Sequence, residues 1–170
     1  MSMTRAETIL KWVVYSMALG LTALTQFFVM GPILQNTIPL LIPGAVAALA
    51  VLEGAVAGAG FGMAAGLLQY GLTHTSPLWV AGLSLTGWLV GLLTQYVLRR
   101  DLVGFLLSGL LALALFQVGQ VLWGRLVCSI PWTALLTVAA REALWTALLS
   151  PLMYGLFLSC CRRYGRIQYE

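Results

Sequence analysis

No charged side chain stands between Trp12 and Leu52, none between Gly54 and Leu98, and none between Leu102 and Gly124. A water-facing domain has to cover its surface with polar groups, and about a quarter of its residues are charged. This chain of 170 residues has 8% charged and 61% hydrophobic residues, with a mean hydropathy of +0.95. These values predict an all-α, polytopic membrane protein. Residues 1–170 form one transmembrane domain.

A helical span takes roughly 20 apolar residues to cross a hydrocarbon core of about 30 Å. Six apolar segments meet or approach that length: Ile9 to Val29, Ile38 to Leu52, Ala55 to Leu72, Leu78 to Leu98, Leu102 to Trp123, and Ala143 to Cys161. Only Glu53 and Gly54 separate the second from the third. One straight helix over both would be about 52 Å long, so a tight hairpin turning at Glu53 and Gly54 is predicted. Six spans with the N-terminus inside put Arg5, Lys11, Arg99, Arg100, Arg162, Arg163 and Arg166 on the cytoplasmic side and Arg125 and Arg141 outside. Basic residues favour the cytoplasmic side, and a five-span alternative loses that asymmetry. Both termini are therefore expected in the cytoplasm. Trp79, Trp123 and Trp132 would mark the outer interface, Trp12 and Tyr164 the inner one. Residues 125–141, apolar and broken by Pro131, are expected to form an interfacial or re-entrant stretch.

Residues 53–66, EGAVAGAGFGMAAG, place Gly54, Gly58, Gly62 and Gly66 at every fourth position. In lipid, water expulsion does not drive helix association, and small residues at this spacing let two backbones approach. The stripe is expected to pack against a helix of the same chain or to receive a partner's helix. Gly82, Gly87 and Gly91 are further packing candidates. Glu53 is expected in a solvated turn, with a contact to a basic partner as the sharper alternative. Gln117 and Gln120, three residues apart, are expected to share a helix face, as structural hydrogen-bonding groups or as part of a ligand pocket. His74 reads as a turn residue, Glu142 as a carboxylate favoured at a helix N-terminus, and Cys160 and Cys161 as small apolar residues.

No nucleophile–base pair, phosphate loop, paired carboxylates or cysteine spacing for a metal stands in the sequence. Catalysis and ion pumping are therefore not expected, and neither is a cofactor, a metal or a nucleic-acid partner. A structural or binding role remains, with homo-oligomerisation left open.

Pro39 to Arg166 resembles the MreD family of bacterial rod-shape membrane proteins. The resemblance lies in PLLIPGAVAALAVLEGAVAGAGFGMAAGLL, in SPLWVAGLSLTGWLVGLL and in REALWTALLSPLMYGLFLSCCRRYGR. Ser76, Pro77, Leu78, Gly82, Gly87, Trp88, Leu89 and Gly91 match the middle element of that family, and Thr146 to Tyr154 the last. The family often carries an Asp at the end of the glycine-rich helix, where this chain has Gln69 and Tyr70. The resemblance implies a non-enzymatic scaffold of the elongasome, in the cytoplasmic (inner) membrane. It would bind the single-span MreC and, through it, the MreB filament and the RodA and penicillin-binding synthase pair, supporting cell shape and peptidoglycan synthesis. The second reading is the substrate-binding S component of an energy-coupling-factor vitamin transporter, whose six-helix fold is similar. That role would draw its pocket from Gln35, Asn36, His74, Gln117 and Gln120.

Overall fold

A computed structural model describes residues 5–30, 40–73, 78–96, 102–127 and 131–164. Among the described residues the chain is all-helical, in six helices. Helix α1 runs Arg5–Leu24 and continues as a π-helical turn, Thr25–Met30; α2 is Leu41–Glu53, α3 Ala55–Thr73, α4 Leu78–Tyr96, α5 Leu102–Leu126 and α6 Trp132–Tyr164. Two of them, over Ala55–Leu72 and Leu106–Leu126, are long and apolar enough to cross a membrane.

The fold is organised around α2, which touches every other described helix. Its 13 residues make a rod of about 20 Å, and Leu41 to Val51 are all buried. Composition explains the position. Ala45, Ala47, Ala48 and Ala50 narrow the rod on several sides, so five neighbours can reach it, and alanine is also the best helix former. Gly44 narrows it further, with nothing within 4 Å of where a Cβ would stand. Gly44→Ala should therefore fill space without collision and raise stability by about 0.5–1 kcal/mol, the gain in helix propensity. A thermal midpoint for Gly44→Ala at or below the unsubstituted protein's would contradict this.

The turn from α2 to α3 is made by Gly54 alone, at φ 96° and ψ −177°. That region of backbone space belongs almost entirely to glycine. No backbone group is lost there, since the Gly54 N–H bonds the Ala50 carbonyl and its own carbonyl accepts from Gly58 N–H, both at 2.9 Å. The chain doubles back: a Cβ on Gly58 would lie 2.6 Å from the Ala50 Cβ. This is the hairpin expected at Glu53 and Gly54.

The last helix differs from expectation. Residues 132–141 are not a separate interfacial or re-entrant stretch but the opening turns of α6, which is 33 residues long. Pro131 stands just before the first helical residue, its carbonyl accepting from Leu135 N–H at 3.3 Å. At a helix start proline's missing donor costs nothing, so it begins this helix where it was expected to break the segment. Leu135 packs on Gly124, closing an α5–α6 hairpin. Further along, Pro151 cannot donate to the Ala147 carbonyl, and the Ser150 hydroxyl donates to it instead at 2.8 Å. The helix runs on through the proline.

Candidate functional site

The chemistry-bearing side chains gather at the two ends of α2 and along one flank of α3. At the C-terminal end, Lys11 Nζ lies 2.5 Å from Glu53 Oε2, and the Tyr15 hydroxyl donates to Glu53 Oε1 at 2.8 Å. The Lys11 and Glu53 side chains are only 15% and 13% exposed. Glu53 is thus not a solvated turn residue, because α1 runs alongside α2 and delivers a cation to it. The basic contact weighed for Glu53 comes from its own chain. Trp12 stacks on Phe61 with ring centroids 5.7 Å apart, and Tyr15 meets the same ring edge-on at 6.3 Å, so an aromatic wall shields the pair. Lys11 Nζ also stands 5.4 Å from the Trp12 ring centroid, within cation–π range.

The N-terminal end of α2 is finished by side chains from other helices. The first turn of any helix leaves N–H groups without partners inside the helix. Here Ile42 N–H donates to Gln26 Oε1 at 3.0 Å and Leu40 N–H to Thr146 Oγ1 at 2.9 Å. Gln26 stands in the π-helical turn of α1 and Thr146 on α6, and both are buried. Thr146 in turn donates to the Glu142 carbonyl at 2.7 Å. One turn of π-helix is a common device at functional positions. This one carries the glutamine that caps α2.

Gln117 and Gln120 do not act together. Gln117 is buried, and its amide donates to Glu142 Oε2 at 3.2 Å, while its Oε1 meets no donor among the described residues. Gln120 instead lines a groove between α4 and α5. Three residues along a helix turn the side chain by about 60°, enough here to divide the two amides between different neighbours.

The glycines form a seam between α3 and α4. A methyl at Gly58 would fall 2.5 Å from the Gly87 carbonyl oxygen, and one at Gly66 2.5 Å from the Val80 Cα. At Gly62 it would collide with the Leu83 carbonyl, at Gly87 with Gly58 and at Gly91 with Ala55. Each step of four along α3 is matched by a step of three or four back along α4, so the two backbones run antiparallel in close contact. Ser84 adds a hydrogen bond to the Ala59 carbonyl at 3.1 Å across it. The stripe is filled by the chain's own helix. Gly54 lies at the end of the seam, where an added Cβ would fall 2.5 Å from Gln95 Nε2. Gly82 stands apart from the seam: a Cβ there would meet the Phe116 ring at 3.7 Å, an ordinary contact.

At the other end of α3, Gln69 is buried at 4% exposure and Tyr70 points outward at 43%. Of these two neighbours Gln69 is therefore the inward-facing one. Trp79, Trp123 and Trp132 lie at the α2 N-terminal end of the bundle and Trp12 at the opposite end, as the helix directions require. Gln35, Asn36, His74, Arg99 and Arg100 lie outside the described residues, as do Ser76, Pro77 and Arg166. No group of three or more metal-ligating side chains occurs among the described residues. Sequence reasoning missed Gln26, Thr146 and Tyr15, whose signal was a polar group inside an apolar run. Compared with known proteins, the chain matches no family model, no curated protein and no solved structure.

Proposed function

We propose that the chain is a six-span membrane protein with both termini in the cytoplasm, acting as a non-enzymatic scaffold of the rod-shape complex. The observation that carries the membrane part is an inverted distribution of polarity. Large apolar side chains face outward, with Met17 70%, Val56 87%, Leu148 66% and Leu152 68% exposed, while the Lys11–Glu53 pair is turned inward. Lipid tolerates the first and requires the second. The excess of basic residues at the proposed cytoplasmic ends supports the orientation.

The scaffold part rests on the resemblance to the MreD family, and one structural observation favours it over a vitamin-binding subunit. A vitamin pocket needs polar groups that converge. Of the five residues available for one, the two within the described residues diverge, Gln117 toward Glu142 and Gln120 toward an apolar groove. On this reading the glycine seam stiffens the bundle, and the partner's helix docks elsewhere on its apolar exterior.

The test is affinity purification of the tagged protein from its own host in mild detergent, with mass spectrometry of all retained proteins and small molecules. A single-span rod-shape protein together with cell-wall synthases is the expected result. A bound vitamin with ATPase subunits would overturn the proposal in favour of the transporter reading.

A further inference from the structure

A groove of about 700 Å³ runs between α4 and α5, on a different flank of α4 from the glycine seam. Its walls include Trp79, Gly82 and Leu89 from α4 and Phe116, Gly119 and Trp123 from α5. Trp79 packs edge-on against Phe116 in this lining, with ring centroids 4.7 Å apart. The Thr86 hydroxyl in the wall is already engaged with the Gly82 carbonyl at 2.6 Å. Gln120 supplies the single side-chain amide of the lining.

We infer that this groove holds one acyl chain of an anionic phospholipid, with the lipid phosphate at Arg125; the inference rests on the membrane reading above. Two observations select this occupant. The eleven residues from Trp79 to Leu89 span about 15 Å, half of a hydrocarbon core of about 30 Å and thus the depth of one leaflet. Charge decides the headgroup. Gly124 and Leu126 both line the groove, and Arg125 between them is exposed, its guanidinium 6.0 Å from the Trp132 ring centroid. A guanidinium held beside a tryptophan at the end of an apolar groove suits a phosphate, and the Gln120 amide can donate to an ester carbonyl of the same lipid.

Gly119 offers a clean way to plug the groove, because a Cβ there meets nothing within 4 Å. Gly155, equally open and outside the groove lining, serves as the control. Host membranes are first washed with alkaline carbonate. The full-length protein is then reconstituted in nanodiscs of equal phosphatidylglycerol and phosphatidylcholine, re-extracted, and its retained lipids counted by native mass spectrometry. The expected result is one phosphatidylglycerol per chain, kept by Gly155→Phe and reduced at least tenfold by Gly119→Phe. Arg125→Gln should lower the preference for phosphatidylglycerol over phosphatidylcholine roughly fivefold, the worth of one basic side chain at an anionic surface. Release of the chain by carbonate overturns the membrane reading and this inference together. A membrane-held chain that retains no lipid, or a Gly119→Phe variant that retains as much as the unsubstituted protein, overturns the groove alone. Equal retention of the two lipids by the unsubstituted protein removes Arg125 from it.

Discussion

Gly62→Leu is expected to separate α3 from α4 and to cost about 3 kcal/mol or more. A Cβ at position 62 already collides with the Leu83 carbonyl, and the groups it meets are backbone, which cannot rotate aside. Overfilling a packed interior costs about 1–3 kcal/mol when side chains can yield, and more when they cannot. Alanine makes the sharper comparison. Gly58→Ala should lose stability despite gaining about 1 kcal/mol of helix propensity, because its methyl would lie 2.5 Å from the Gly87 oxygen. Gly60→Ala should gain, since position 60 is exposed and open. Denaturation of the three variants in one detergent, followed by helical circular dichroism, gives the order. If 58 and 60 respond alike, the seam is not where the stability lies.

Lys11→Met is the second large effect. Removing the cation leaves Glu53 nearly enclosed beside the Tyr15 hydroxyl and an aromatic wall. Breaking a buried pair by deleting one partner costs about 3–5 kcal/mol, and the partial exposure here brings the expected loss below that range, to about 2–3 kcal/mol. The double variant Lys11→Met with Glu53→Gln should recover most of that loss, because a neutral amide still accepts from Tyr15 and leaves no unpaired charge. A double variant as unstable as the single would show that the cost comes from lost packing of the lysine stem rather than from the stranded carboxylate. Equilibrium unfolding of both variants at neutral pH separates the two.

Much of the helix order was legible because apolar runs and their breaks are local properties. The hairpin at Glu53 and Gly54 followed from length alone, since a straight helix through both segments was too long. The start of α6 was misjudged for an equally local reason: Pro131 reads as a break from either direction, and only the chain on its C-terminal side shows that a helix begins there. The site was less legible. Gly-x-x-x-Gly spacing shows that a close approach exists without naming the other helix, and Gly87 and Gly91 acquire meaning only once α4 lies antiparallel on α3. The same holds for Glu53. Its partner Lys11 is 42 residues away, and no pattern near either residue connects them. Gln26 and Thr146 cap a helix that belongs to neither of their own segments, which composition and periodicity do not encode.

The enclosure of α2 also has a consequence for how the chain is made. It is the second helix to be synthesised, yet α3, α4, α5 and α6, four of the five that surround it, are synthesised after it. At roughly 5–20 residues per second, on the order of ten seconds pass between the appearance of Glu53 and that of Tyr164. During that interval a rod of about 20 Å, shorter than a hydrocarbon core, has α1 beside it and no permanent wall on its other sides. The one-residue turn at Gly54 ties α2 to α3, so on the membrane reading proposed above the two would enter as a unit, the longer helix carrying the shorter until the last helix closes around it. Substitutions that loosen the Gly54 turn should therefore lower the yield of protein before they alter the finished fold.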